Sequence, residues 1–324
     1  MALHVHIAGT HDESFLCALQ PLLDSGITLT VGEDAPDPAE YEILICGVPS
    51  KELIEASPAL RHLIVPWAGL PVKTRDLMLN YRHITTHNLH HNAVPVAELA
   101  VAMMLALAKD LRNIDASLRK NDWTPRYETG AIDMVAEKTA VVVGYGAAGK
   151  EIAKRCRAMG MNVRAVRRSG HEPNDGAVEI YRAEDLEALL PDAQVIFLSL
   201  PLTEHTKRMM GERQLSLLPA GAILINVSRG RIIDEKALYD ILGTGKIKAG
   251  LDVWYNYPDL QGGKSDVPPS DYAFHELPNV IMTPHLAGNS DMTEVLRARE
   301  LARLLNTAAG GEQLPNCVDL QRGY

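Results

Sequence analysis

The sequence predicts an α/β protein made of two doubly wound, parallel-sheet domains. Three observations predict it. Short apolar runs alternate with helical patterns along the chain, as in parallel sheets covered by helices. At 324 residues the chain is too long for one ordinary core. A strand–turn–helix–strand unit with regularly spaced glycines begins at Thr139, well inside the chain.

The first part supplies five strands. Residues 3–9, 28–31, 42–47, 61–66 and 83–86 read as short apolar strands, with helical patterns near 12–24, 50–57 and 71–80. The turn Pro66-Trp67-Ala68-Gly69-Leu70 lies where a strand ends and a helix begins, the ligand edge of open sheets. Ala68 and Gly69 are small enough to offer backbone N–H groups to a carboxylate; a plain βα loop is the alternative. His87, His90 and His91 have no acid or cysteine beside them, and adjacent side chains diverge, so no metal site is expected. From Val94 onward dense apolar residues predict a long helix buried nearly all round. Such a helix runs between domains or packs on another subunit. Residues 119–137 are polar and lead into the next strand.

That strand holds Val141, Val142 and Val143. It runs into Gly144-Tyr145-Gly146-Ala147-Ala148-Gly149, spaced G-x-G-x-x-G. Ile152, Ala153, Cys156 and Met159 then recur at helical spacing, Gly160 stops the helix, and Val163–Val166 forms a second strand. In this βαβ setting Gly144 permits the turn, Gly146 lets backbone approach a pyrophosphate, and Gly149 allows close helix–strand packing. The helix N-terminus presents free N–H groups to the anion. NAD-binding units carry Asp or Glu about 20 residues on, to accept from the ribose 2′-OH. Here Arg167, Arg168 and Ser169 follow the second strand. Guanidinium groups bind a 2′-phosphate that a carboxylate would repel, so NADP(H) is the preferred cofactor, with NAD(H) possible. A solvated basic loop is the alternative.

Further strands follow. Residues 186–190 end a short helix, and 195–200 form the next strand. AILINVSRG ends at Arg229-Gly230, after which Asp234 caps the helix EKALYDIL. Residues 246–251 form a strand ending at Asp252, and 279–282 one ending at Thr283-Pro284-His285. Residues 289–309 form an amphipathic helix. Arg229, Asp252 and His285 therefore sit just past strand C-termini, the ligand edge of such a sheet. Hydride transfer to a 2-oxo acid needs an arginine to hold the carboxylate and polarise the carbonyl. It also needs a histidine to deliver a proton. Arg229 and His285 fit those roles.

Composition narrows the function. The net charge of −9 argues against nucleic acid or anionic membrane as a partner. No signal-peptide pattern opens the sequence and no apolar run reaches membrane-spanning length, so a cytoplasmic protein is expected. Cys17, Cys46, Cys156 and Cys317 lack metal-type spacing, and Cys46 and Cys156 read as small core residues.

Four segments resemble the D-isomer-specific 2-hydroxyacid dehydrogenases, a family that includes glyoxylate and hydroxypyruvate reductases. They are HNAVPVAELAVAMMLALAK, VVVGYGAAGKEIAKR, LSLPLTEHTK with INVSRGRIIDEKAL, and GLDVW with LPNVIMTPHLAGNS. The resemblance implies a flavodoxin-like substrate-binding domain from residues 1–94 and 289–324, around an NAD(P)-binding Rossmann domain at 95–288. It implies a homodimer formed through the helix after Val94. Arg229 would bind the carboxylate of a small 2-oxo or 2-hydroxy acid, with Ala68, Gly69 and Leu70 gripping it through backbone. His285 would be the acid/base. Pro201, Thr206, Val227, Ser228, Asp252, His285 and Ala287 would line the cofactor.

One position departs from the family. A glutamate five residues after the aspartate, just before a proline, normally pairs with the histidine; here Tyr257 stands there, before Pro258. Asp259 and Glu276 are the nearby acids in sequence. The leading reading is an NADP(H)-dependent reductase of a small 2-oxo acid such as glyoxylate or hydroxypyruvate. Oxidation of formate or a similar small anion is one alternative, and a dinucleotide-sensing binding protein without turnover is another.

Overall fold

A computed structural model describes residues 2–9, 13–127, 132–168, 178–259 and 266–324. The chain divides into two compact units: Met1–Asn92 with Asn289–Tyr324, and Ala93–Gly288.

The first unit begins with β1 (Leu3–Ala8), α1 (Glu13–Leu19), β2 (Ile27–Gly32) and β3 (Ile43–Ile45). It continues with α2 (Lys51–Ala56), β4 (His62–Val65), α3 (Val72–Met78) and β5 (Thr85–Asn88). The second unit opens with α4 (Ala93–Ala108), α5 (Leu111–Leu118), α6 (Thr124–Tyr127), β6 (Thr139–Val143) and α7 (Ala147–Ala158). Then come β7 (Asn162–Arg167), β8 (Glu179–Arg182), α8 (Leu186–Leu189), β9 (Val195–Leu198) and α9 (Glu212–Leu217). It closes with β10 (Ile223–Asn226), α10 (Glu235–Gly243), β11 (Lys248–Leu251) and β12 (Val280–Met282). Helix α11 (Thr293–Ala309) returns to the first unit.

Both sheets are parallel throughout. The first has the order β2-β1-β3-β4-β5, the flavodoxin-like winding. The second has the order β12-β11-β10-β9-β6-β7-β8, which contains the Rossmann winding 3-2-1-4-5-6. Two doubly wound sheets are thus what the alternating pattern predicts. Central strands read as continuous apolar runs because both faces are covered. In the first unit Leu301, Leu304 and Leu305 of α11 join Phe15 and Leu19 of α1 over Val5, Ile7, Ile43 and Ile45. In the second, α4 and α7 cover Val142, Phe197 and Ile225, while Leu215, Leu238 and Leu242 cover the other face. Each such fully buried side chain contributes about 1.5–3 kcal/mol, enough to lock strand register.

Helix α4 is not buried nearly all round. Ala97, Ala100, Met103, Met104 and Leu107 face the core, while Val94 is exposed and Leu99, Val101 and Leu105 are half-buried. Leu99, Val101 and Leu105 pack at the edge of that core. Helices α5 and α6 bury no side chain, and β8 is a half-exposed edge strand. These three elements carry no continuous apolar pattern for a sequence reading to find.

Candidate active site

The glycine turn is built as its spacing requires. Gly144 has φ +98°, and a Cβ there would lie 2.5 Å from the Ser199 carbonyl oxygen. A Cβ on Gly149 would lie 1.9 Å from the Gly144 oxygen, so only glycine lets α7 start this close to β6. A Cβ on Gly146 would meet nothing within 4 Å: the space in front of the α7 N-terminus is open. The Ser199 hydroxyl donates to the Gly144 carbonyl at 2.7 Å and pins the turn. Tyr145 is buried, with Lys150 Nζ 5.8 Å from its ring centroid. Ala147 and Ala148 form the first turn of α7. Open space, a glycine cradle and a helix N-terminus fit a dinucleotide pyrophosphate. Arg167 ends β7, half-buried, and Arg168 follows it, exposed. Ser169 lies outside the described residues.

Beyond β9, Thr206 closes the loop that begins at Pro201. Its hydroxyl donates to the Pro201 carbonyl at 2.7 Å and accepts from Thr203 N at 2.8 Å. Beyond β10, buried Asn226 organises the segment Val227-Ser228-Arg229. Its Oδ1 accepts from Ser228 N at 3.1 Å and from Ser228 Oγ at 2.8 Å, while its Nδ2 donates to the Arg229 carbonyl at 3.1 Å. Arg229 Nη1 donates to the Ser228 carbonyl at 2.6 Å. No carboxylate pairs with this guanidinium among the described residues. Arg229 is open to solvent at its surface, yet crowded by protein, and that desolvation lowers its pKa from the ordinary guanidinium range. The direction still leaves it charged at neutral pH. Gly230 must be glycine, because a Cβ would lie 2.4 Å from the Trp254 carbonyl oxygen.

Asp252 anchors the segment after β12. Its buried carboxylate accepts from Thr283 Oγ1 at 2.6 Å, Leu286 N at 2.8 Å and Ala287 N at 2.9 Å. His285 sits between those anchors in the left-handed region, at φ +58°. A histidine at positive φ stores backbone strain that its surroundings must hold in place, a feature concentrated at functional sites. The Trp254 indole adds a bond to the Thr283 carbonyl at 2.8 Å.

Tyr257 stands beside His285, their ring centroids 5.6 Å apart and tilted by 55°. The Tyr257 hydroxyl accepts from Trp254 N at 3.0 Å. The His285 ring makes no ion pair or hydrogen bond among the described residues. Glu276 lies 4.0 Å from His275. Desolvation and then the Arg229 charge lower the His285 pKa, with Asp252 opposing. Arg229, Asp252, Tyr257 and His285 are therefore close enough to feel one another's charge.

The remaining predicted residues lie in the first unit. The loop from Pro66 to Leu70 is tied at two points: Asn88 Nδ2 donates to the Ala68 carbonyl at 2.8 Å, and Leu89 N to the Trp67 carbonyl at 3.3 Å. The six-membered ring of Trp67 packs on Gly47, where a Cβ would come within 1.8 Å of it. The amide N–H groups of Ala68 and Gly69 have no acceptor among the described residues. Sequence reasoning did not reach Ser199, Asn226 or Asn88, nor the bonds that Trp254 and Thr283 make. The signal for Ser199 and Asn226 is a polar residue closing an apolar strand. Asn88, Trp254 and Thr283 bond partners remote in sequence. The histidines belong to packing: His87 Nδ1 bonds the Pro315 carbonyl at 2.8 Å, and His91 is buried.

The family model described as the D-isomer specific 2-hydroxyacid dehydrogenase, NAD binding domain, matches residues 101–287. The chain belongs to this family. A glycerate dehydrogenase of Methylorubrum extorquens is 36% identical over 234 residues, 71% of this chain and 69% of that relative. A D-3-phosphoglycerate dehydrogenase of Methanocaldococcus jannaschii is 32% identical over 237 residues, 71% of this chain but 42% of the relative, so the chain spans less than half of that protein. Among solved structures, the D-isomer specific 2-hydroxyacid dehydrogenase of Xanthobacter autotrophicus, in complex with NADPH and MES, superposes with a TM-score of 0.81. That match covers 100% of both chains at 24% identity and shows the shared fold. No helix among the described residues is long and apolar enough to cross a membrane.

Proposed function

We propose that this family member is an NADP(H)-dependent reductase of small 2-oxo acids such as glyoxylate or hydroxypyruvate. One observation carries the reading. Arg229, whose guanidinium meets no carboxylate, and His285, whose ring is unbonded, share one electrostatic neighbourhood at the C-terminal edge of the dinucleotide-type sheet. Arg229 binds the substrate carboxylate with its free N–H groups and polarises the carbonyl. His285, as imidazolium, delivers the proton to the carbonyl oxygen. The amides of Ala68 and Gly69, with Leu70 beside them, offer further donors to the carboxylate. In this reading residues 1–94 and 289–324 bind substrate and 95–288 bind the dinucleotide.

The bound dinucleotide supplies the hydride. The residues of Gly144–Gly149 cradle its pyrophosphate, and Pro201, Thr206, Val227, Ser228, Asp252, His285 and Ala287 line the cofactor, with Asp252 near the nicotinamide amide. Arg167 and Arg168, with Ser169, hold the 2′-phosphate, so NADPH is preferred. Val94, Val101 and Leu105, exposed or half-buried along one stripe of α4, support a homodimer. The four free cysteines suit a cytoplasmic setting.

The test is the initial rate of NADPH and NADH oxidation with glyoxylate, hydroxypyruvate, pyruvate and a bulky aromatic 2-oxo acid. Turnover of the small acids with NADPH favoured supports the reading. Tight dinucleotide binding without turnover would point instead to a sensor. Arg167→Asp should reverse the cofactor preference, since each charge-assisted contact is worth about 1.5–3 kcal/mol. Equal use of both cofactors by the wild type would sink the NADP assignment.

A further inference from the structure

The tyrosine at position 257 is more than the absence of a carboxylate. Its ring occupies a place beside His285, and its hydroxyl lies in the electrostatic reach of Arg229. A tyrosine hydroxyl has one proton to give and lone pairs to receive. Here a lone pair is taken: Trp254 N donates to it at 3.0 Å. That bond fixes where the oxygen sits. The proton has no acceptor among the described residues. The charges it feels are the Arg229 guanidinium, which only donates, and the Asp252 carboxylate, whose oxygens accept from Thr283, Leu286 and Ala287; the imidazole beside it has no hydrogen bond of its own. The residue is 48% exposed, so the tyrosine stands at the surface of the site rather than in the core.

An oriented donor without an acceptor, beside a histidine and within the field of an arginine, is the chemistry of an oxygen-binding site. We propose that the Tyr257 hydroxyl donates a hydrogen bond to the 2-oxo oxygen of the substrate. This rests on the 2-oxo acid reading of the site. The assignment gives the reacting oxygen two donors of different kind. His285 gives up its proton as the carbonyl carbon gains hydride and the C=O π pair becomes an O–H bond. Tyr257 keeps its proton and steadies the charge that builds on oxygen meanwhile. Burial pushes the phenol pKa upward, which suits a donor that stays protonated throughout. A glutamate at this position would present only acceptors at neutral pH and could not donate to that oxygen.

The test is Tyr257→Phe, which removes the hydroxyl and keeps the ring against His285. It should lower kcat/KM for glyoxylate about ten- to a hundredfold, mostly in kcat, with dinucleotide affinity unchanged. Two inhibitors separate substrate contact from mere support of the Trp254 amide. Oxamate carries a carbonyl oxygen beside its carboxylate, whereas propionate carries the carboxylate alone. The variant should bind oxamate about tenfold more weakly and propionate as the wild type does. Unchanged kcat/KM, or equal weakening of both inhibitors, overturns the proposal. A wild type that turns over no 2-oxo acid overturns the parent reading and this one with it. Turnover that survives intact in the variant overturns this one alone.

Discussion

Replacing Tyr257 by glutamate restores the carboxylate that the family resemblance leads one to expect, and its effect can be worked from one distance. In the proposed reaction His285 must be protonated to reduce a 2-oxo acid, so kcat/KM follows the imidazolium fraction of the free enzyme. Desolvation and the Arg229 charge hold the His285 pKa below its ordinary value of 6.5. The sign follows directly: reduction is fastest at low pH and falls about tenfold per pH unit above that lowered pKa. A carboxylate in place of the tyrosine ring would stand near 5.6 Å from the imidazole. Coulomb's law there gives about 3 kcal/mol at an effective dielectric constant of about 20, and about 0.7 kcal/mol at about 80. Tyr257 is 48% exposed, which weakens the larger figure. The two limits move the decline upward by about half to two pH units. The assay is the pH dependence of kcat/KM for glyoxylate reduction in wild type and Tyr257→Glu. A wild-type decline centred above about pH 7.5 would refute an unpaired histidine. An unmoved profile in the variant would refute the electrostatic coupling of the two positions.

Other consequences concern the arginine, the glycine turn and acid stability. Arg229→Lys should raise KM strongly and lower kcat, because a point charge cannot span a carboxylate as a fork does; unchanged kinetics would remove Arg229 from the site. Gly149→Ala places a Cβ 1.9 Å from the Gly144 oxygen, so dinucleotide binding should be lost and the melting temperature should drop by several degrees. Binding titration and a thermal melt check this, and wild-type affinity in the variant would contradict the geometry. His91 has its pKa lowered from 6.5 to about 4, chiefly by burial. Its unfolded state therefore binds protons first, and stability should fall by up to about 3 kcal/mol as pH drops from about 6.5 to 4. Denaturant titrations of His91→Gln should show a flatter dependence over that window, and an identical one would refute this account.

Much of both sheets was legible because buried parallel strands are apolar throughout and are punctuated by glycine or a polar residue at the C-terminal end. Val141–Val143 before Gly144 and the run ending at Arg229 are examples. The same rule brought Arg229, Asp252 and His285 to one sheet edge on paper. What stayed illegible lacks an apolar signature. The strand Glu179–Arg182 is half-exposed, and Leu111–Leu118 buries no side chain against this chain. Helix α4 is only partly buried within one chain, and composition cannot tell a leucine in the core from one at its edge. The hydrogen bonds that hold the site were hidden for another reason. Asp252 meets Ala287 across 35 positions and Trp254 meets Thr283 across 29, and no local pattern encodes either contact.

The most direct measurement is the configuration of the product formed from hydroxypyruvate with NADPH as the only reductant. A D-isomer-specific reductase working through Arg229 and His285 must deliver hydride to one face of the carbonyl. The account predicts D-glycerate, formed in step with NADPH oxidation and lost in His285→Ala. L-glycerate, a racemic product, or the absence of any turnover with small 2-oxo acids would contradict it.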